Sequence, residues 1–194
     1  MNESFQHCDA DPHAFDLYNA LAYCLFQPQR GSSPESIALA FTSANPREGV
    51  TQVVNSLVRS IHENSLMQAT AVDARWLKSQ PTIDTSPARS SEYRHSSDSF
   101  GGWERRKRLV DELRERAQIV VIDCSALSVS SDALSLAPVV DGIVLIVEAE
   151  RTTKAEIRWA ESRIGAAGGK MIGVVLNKQR SAVPTFLSRW LKPI

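Results

Sequence analysis

The sequence predicts an α/β fold of three layers, in which a mostly parallel central sheet is flanked by helices. Three short apolar runs rich in β-branched residues, at 119–123, 143–147 and 172–176, are typical of strands buried on both faces. A helical pattern separates the second run from the third, and buried strands joined by helices indicate a parallel sheet with helical crossovers. The first run ends in Asp123, so we expect this carboxylate at the edge where such sheets bind ligands.

The overall composition indicates a soluble protein of the reducing interior of the cell. The 194 residues carry 22 basic and 22 acidic side chains, so the net charge indicates neither a nucleic acid nor an anionic membrane as partner. The polar amino terminus is no secretory signal, and no apolar run approaches the roughly 20 residues of a spanning helix. We therefore expect a cytoplasmic protein that reaches a membrane only by docking on a partner. Residues 1–12 are expected to be flexible, and 13–194 to form a single domain.

The amino-terminal half predicts a helix followed by two strand and helix units. A capping aspartate and a proline begin a helix over about 12–26, and the first strand of the sheet covers 36–43. The helix that follows has one apolar face. A weaker strand over 66–73 ends in a second carboxylate, Asp73.

The rest of the chain predicts one long loop and three more helices. The segment at about 78–102 is rich in Ser, Pro, Arg and His, which indicates a mobile loop. A charged helix begins at Trp103, and a later helix, capped by Thr152, precedes the last strand. A final short helix is predicted near 185–191.

The stretch from Ser43 to Gln52 has the pattern of a phosphate-binding loop. It follows a predicted strand, contains a proline and a glycine, and leads at once into a helix. The free amides at the amino terminus of a helix favour an anion, so this arrangement predicts a site for phosphate groups.

Taken together, these segments resemble the cytoplasmic ATPase domain of the bacterial tyrosine kinases of capsule and exopolysaccharide synthesis. More broadly, they resemble the MinD/ParA-type branch of P-loop ATPases. The resemblance covers roughly 14–178 and is carried by four segments, which are Arg114–Asp123, Ser131–Leu134, Pro138–Gly142 and Gly173–Lys178. It implies a P-loop NTPase-like fold that binds ATP or ADP with magnesium.

The phosphate loop departs from the family pattern Thr-Ser-Ala-x-Pro-Gly-Glu-Gly-Lys-Ser/Thr at two positions. In Thr42–Thr51, Arg47 replaces a glycine and Val50 replaces the lysine. That lysine reaches the β- and γ-phosphates and stabilises the transition state, whereas valine has neither charge nor donor. The resemblance assigns nucleotide contacts to Arg47, Glu48, Gly49, Val50, Thr51, Gln52 and Asn177. It assigns magnesium to Thr51 and Asp123, and catalysis, if the protein is active, to Asp73 and Asp123.

Three further departures concern the other family motifs. The family has Asp-x-Asp-x-Arg after the second strand, whereas this chain has Asp73 followed by Arg75 in the place of the second aspartate. The prolines that follow the family's third aspartate are missing after Asp123. The family's carboxyl-terminal tyrosine cluster has no counterpart in 188–194.

These observations favour a degenerate, non-catalytic homologue that acts as a partner or regulator in exopolysaccharide or capsule synthesis and export. The expected partner is a polysaccharide co-polymerase, a chain-length membrane protein or a related kinase. The observations are also compatible with a homo-oligomer, and no nucleic-acid partner is expected. Two alternatives stay open. One is an active ATP-dependent tyrosine kinase or ATPase in which Arg47 replaces the lysine, and the other is a MinD/ParA-like positioning ATPase.

Overall fold

The computed structural model describes residues 18–22, 24–25, 36–64, 67–79 and 98–179. The strands in this part of the chain are β1 (Ile37–Ser43), β2 (Ala69–Asp73), β3 (Ile119–Asp123), β4 (Gly142–Glu148) and β5 (Met171–Asn177). The helices are α1 (Val50–Asn64), α2 (Ala74–Ser79), α3 (Asp98–Arg116), α4 (Asp132–Leu136) and α5 (Lys154–Ala166). Residues 18–22 and 24–25 are also helical.

The five strands form one parallel sheet in the order β2-β3-β1-β4-β5. The central strands β1, β3 and β4 are buried on both faces, as their continuous apolar runs predict. The register pairs Asp123 with Phe41 on one side and with Asp73 on the other. The carboxyl ends of β1, β2 and β3 therefore meet at the same edge of the sheet.

Helices cover both faces of the sheet, which confirms the predicted three-layer α/β fold. On one face, Val53, Leu57 and Ile61 of α1 pack with Phe41 and Ile146 of the sheet. On the other face, apolar side chains of α2, α3, α4 and α5 pack against the alternate residues of the same strands, among them Leu77, Val110, Leu136 and Ile164. The two faces of β1 therefore belong to two separate apolar cores.

The two edge strands are less buried than the central ones. In β5 the side chains of Ile172, Val174 and Leu176 are exposed. Their neighbours on the strand are partly covered, and Val175 packs on the core beneath α1. The outer edge of β5 is paired with no other strand of the described residues.

Several predicted boundaries are shifted. Helix α5 is capped by Thr153 rather than Thr152, because Thr153 and Glu156 form a capping box. Helix α3 begins at Asp98 rather than at Trp103, since two glycines cost a helix only about 1 kcal/mol each. Strand β2 begins at Ala69.

Some predictions fall partly or wholly outside the described residues. In the predicted loop at about 78–102, residues 98–102 are helical and 78–79 end α2, whereas 80–97 lie outside the described part. The segment 1–12, predicted to be flexible, and the short helix predicted near 185–191 also lie outside it. None of the described helices is long and apolar enough to cross a membrane.

Candidate functional site

A cavity of about 320 Å³ opens where β1, β2 and β3 end. The loop between β1 and α1, residues 44–49, forms one wall, and the ends of β2 and β3 form the other. The side chains that matter for its chemistry are Arg47, Val50, Thr51, Asp73, Arg75 and Asp123. Open α/β sheets bind their ligands at this edge. The fold places the predicted phosphate loop and both predicted carboxylates in this one cavity.

The loop keeps a backbone shape that depends on two residues with positive φ. Gly49 has a φ of 95° and Arg47 a φ of 69°. By the resemblance, Arg47 stands at the position of a glycine, and it adopts the left-handed conformation that glycine reaches without strain. It also brings a long cationic side chain to the wall of the cavity.

Partly buried hydrogen bonds link this loop to neighbouring parts of the chain. The Glu48 side chain is 2% exposed, and its carboxylate accepts hydrogen bonds from the backbone N–H of Asn45, at 3.0 Å, and from the Thr152 hydroxyl. The Thr152 hydroxyl in turn accepts from the N–H of Glu148 at 2.9 Å. Glu48 is part of the cavity lining, and its carboxylate ties the loop to the turn before α5.

Two residues at the end of β5 complete this support. Asn177 Nδ2 donates to the carbonyl of Glu48 at 2.9 Å, and the Lys178 ammonium donates to the carbonyl of Arg47. Lys178 is also paired with Glu148 at 3.2 Å. Asn177, which the resemblance assigns to the nucleotide, here contacts the back of the phosphate loop. Thr152 and Lys178 have no signal in the sequence that points to this role.

Thr51 and Asp123 lie together on the floor of the cavity. Burial raises the pKa of the Asp123 carboxyl group above its ordinary value of 3.8, and the nearby Thr51 hydroxyl offsets part of this rise. The two residues that the resemblance assigns to magnesium are therefore neighbours.

Asp73 is engaged by a cation of the same chain. Its two carboxylate oxygens accept hydrogen bonds from Nε and Nη2 of Arg75, at 2.7–3.1 Å, and from the Arg75 backbone N–H at 2.7 Å. The hydrogen bond with the Arg75 side chain is the main reason why the pKa of Asp73 is lowered. A metal in this cavity would have Thr51 and Asp123 as its readily available ligands.

These ligands fit Mg²⁺ only in part. Magnesium requires near-octahedral oxygen coordination, and one hydroxyl with one carboxylate supplies too few ligands unless phosphates or water complete the set. Within the described residues there is no group of three or more His, Cys, Asp or Glu side chains that could hold a metal ion.

Val50 and Gln52, the two remaining residues predicted to contact the nucleotide, differ in their positions. Val50 lines the cavity but is only 8% exposed, because its side chain packs with Val53, Val54 and Phe41 in the core beneath α1. Gln52 is exposed on the first turn of α1 and does not line the cavity. The position where the family has its lysine thus carries an apolar side chain that belongs to the core.

Comparison with known proteins finds similarity to tyrosine-protein kinases and to a succinoglycan biosynthesis transport protein. The CapB protein of Staphylococcus aureus is 36% identical over 70 residues, which cover 36% of this chain and 31% of CapB. The succinoglycan biosynthesis transport protein ExoP of Rhizobium meliloti is 28% identical over 138 residues, covering 68% of this chain and 17% of ExoP. Tyrosine-protein kinase CpsD of Streptococcus agalactiae is 25% identical over 79 residues, covering 41% and 34% of the two chains. These matches span about a third or less of each relative.

Solved structures show the same fold. The kinase domain of Escherichia coli tyrosine kinase ETK superposes with a TM-score of 0.65 at 17% identity, covering 88% of this chain and 79% of that domain. The chimerical protein CapA2B2 superposes with a TM-score of 0.66 at 18% identity, covering 90% and 88% of the two chains. No protein-family profile matches the sequence.

Proposed function

We propose that the chain is a non-catalytic homologue of the tyrosine-kinase domains of capsule and exopolysaccharide synthesis. Its sequence similarity and its fold support the homology. In this role it acts as a partner or regulator of polysaccharide synthesis and export. The observation that carries the proposal is Val50, an apolar core residue at the position that the resemblance assigns to the family's lysine.

Phosphoryl transfer depends on cations that are fixed around the transferred group, and this is the reason for the proposal. Val50 offers no charge to the β- and γ-phosphates. Arg47 lies in the wall of the cavity, but its side chain starts from an exposed loop and is not held in place as a lysine on the helix is. The pocket therefore has no fixed charge at the position that the resemblance assigns to the lysine.

The same pocket supports weak binding of ATP or ADP. The loop amides and the amino terminus of α1 attract phosphate independently of the lysine, and Thr51 remains at the start of the helix. The nucleotide then serves as a ligand that stabilises the domain, since any ligand that binds only the folded state does so. Asn177 and Glu48 take part by holding the loop in shape.

The proposed setting is the cytoplasm, at the inner face of the membrane, where the chain docks on a polysaccharide co-polymerase, a chain-length protein or a related kinase. ExoP, whose name describes a transport protein of succinoglycan biosynthesis, supports the link to export. Binding to the purified co-polymerase of the same cell, measured by calorimetry, tests this role independently of nucleotide chemistry. Failure to bind the co-polymerase, the chain-length protein and the kinase of that cell would refute the proposed partner role.

Catalysis is tested by restoring the missing charge. The wild type, Val50→Lys and the uncharged control Val50→Met are incubated with ATP and magnesium, and phosphate release is measured. We expect turnover only in Val50→Lys, because the lysine stem can lie along the apolar wall with its ammonium group in the cavity. Turnover of the wild type well above background would refute the proposal and favour the active tyrosine kinase or ATPase.

A further inference from the structure

Arg75 lies in the cavity as a cation supplied by the chain itself. Its Nη2 is 2.7 Å from Oδ2 of Asp73, and its Nε is 3.1 Å from both carboxylate oxygens. The planar guanidinium makes such a two-point contact with a carboxylate in one preferred orientation. The ion pair with Asp73 orients the guanidinium group. The Arg75 side chain is 77% exposed, so the group is also accessible to a ligand.

The position of Arg75 is next to both carboxylates of the site. Asp73 and Asp123 are register partners on the neighbouring strands β2 and β3, so a guanidinium on Asp73 stands beside Asp123 as well. The charges of Asp123 and Asp132 both attract it. A cation therefore already stands beside the strand-end carboxylates, in the lining of the cavity that also contains the phosphate loop.

The ion pair also removes metal ligands from the site. Both oxygens of Asp73 accept hydrogen bonds from Arg75, so a metal would have to displace the guanidinium before it could use that carboxylate. Only Thr51 and Asp123 are left. Resting on the nucleotide pocket of the proposed function, we propose that Arg75 replaces magnesium and that the site binds the polyphosphate of a nucleotide without a metal ion.

The hydrogen-bonding capacity of arginine allows both contacts at once. A guanidinium carries five N–H donors, and the ion pair with Asp73 is made through Nε and Nη2, so Nη1 stays outside it. A phosphate oxygen can therefore bind Arg75 while Asp73 keeps the side chain in place. The loop amides and the amino terminus of α1 add their attraction on the opposite side of the polyphosphate. This arrangement differs from the magnesium site that the family resemblance implies.

The inference is tested by binding and needs no activity. ATP carrying a fluorophore on its ribose is titrated with the full chain in excess magnesium and again in excess chelator, and the polarisation gives the dissociation constant. We expect the wild-type values in the two buffers to agree within about twofold. Arg75→Gln, which keeps a polar side chain but removes the charge, is expected to weaken binding by about tenfold or more in both buffers, the loss typical of a charge-assisted hydrogen bond.

Arg75→Asp and a distant control make the result specific. Arg75→Asp adds a carboxylate and frees Asp73, so its binding should be weak in chelator and recover by about tenfold or more in magnesium. Arg59→Gln, an exposed arginine of α1 outside the cavity, should bind as the wild type does. Wild-type binding that is lost in chelator and restored by magnesium would overturn the inference. Absence of binding in both buffers would also overturn it, yet would leave the partner role, which has its own assay.

Discussion

Replacing Gly49 by alanine is expected to lower the free energy of unfolding by about 2–4 kcal/mol. Gly49 has a φ of 95°, and a Cβ atom built on it would lie 2.2 Å from Nδ2 of Asn177. Holding alanine in such a conformation costs about 1–3 kcal/mol. The clash displaces the Asn177 amide from the Glu48 carbonyl, and the lost hydrogen bond adds about 0.5–1.5 kcal/mol.

Urea denaturation followed by circular dichroism measures this difference, and Gly165→Ala is the matched control. Gly165 lies in α5, where an added Cβ would meet no atom within 4 Å. Alanine is favoured over glycine inside a helix by about 1 kcal/mol, so the control should be at least as stable as the wild type. A Gly49→Ala variant within about 0.5 kcal/mol of the wild type would refute the reasoning, since the loop would then need neither the positive φ nor the contact with Asn177.

Three more variants test the support and the floor of the cavity. Thr152→Val removes a donor from the buried carboxylate of Glu48 and should cost about 1.5–3 kcal/mol in urea denaturation; an unchanged midpoint would contradict this. Lys178→Met should speed hydrogen exchange of the loop amides around Arg47, because it removes the hydrogen bond to the Arg47 carbonyl. Exchange as slow as in the wild type would show that this bond does not stabilise the loop. Burial raises the pKa of Asp123 in the folded state, so its ionised form destabilises the fold. That penalty is absent below the unfolded value of 3.8 and grows as pH rises through the folded pKa. Asp123→Asn should therefore be more stable than the wild type at neutral pH, and this gain should vanish on acidification; a gain that grows on acidification would refute the assignment.

The parts of the fold and site that could be predicted depend on local patterns. The strands are apolar runs bounded by helices, and Asp123 ends one of them, so both the sheet and the place of this carboxylate follow from the sequence. Thr51 opens the helix after a loop with a recognisable frame, which is enough to place it near Asp123.

The contacts that support the loop could not be predicted in this way. Thr152 reaches Glu48 across 104 residues and Lys178 reaches Arg47 across 131, and such pairings depend on how separate elements pack. The sequence suggests Thr152 as a helix cap because the pattern Thr-Thr-Lys-Ala-Glu offers two candidates, and only Thr153 lies three residues before Glu156. The role of Arg75 was missed because the motif shows a lost aspartate but not what the new side chain binds.

The strand that supports the phosphate loop is also one of the two edge strands of the sheet. Asn177 and Lys178 lie at the end of β5, which among the described residues has a neighbouring strand on one side and carries three exposed apolar side chains. Edge strands open more readily than central ones, because fewer contacts must be broken. Fraying of this border would free the carbonyls of Arg47 and Glu48, whereas the pairing of β1 with β3 does not involve β5. The geometry of the turn before α1 thus depends on contacts from an edge strand.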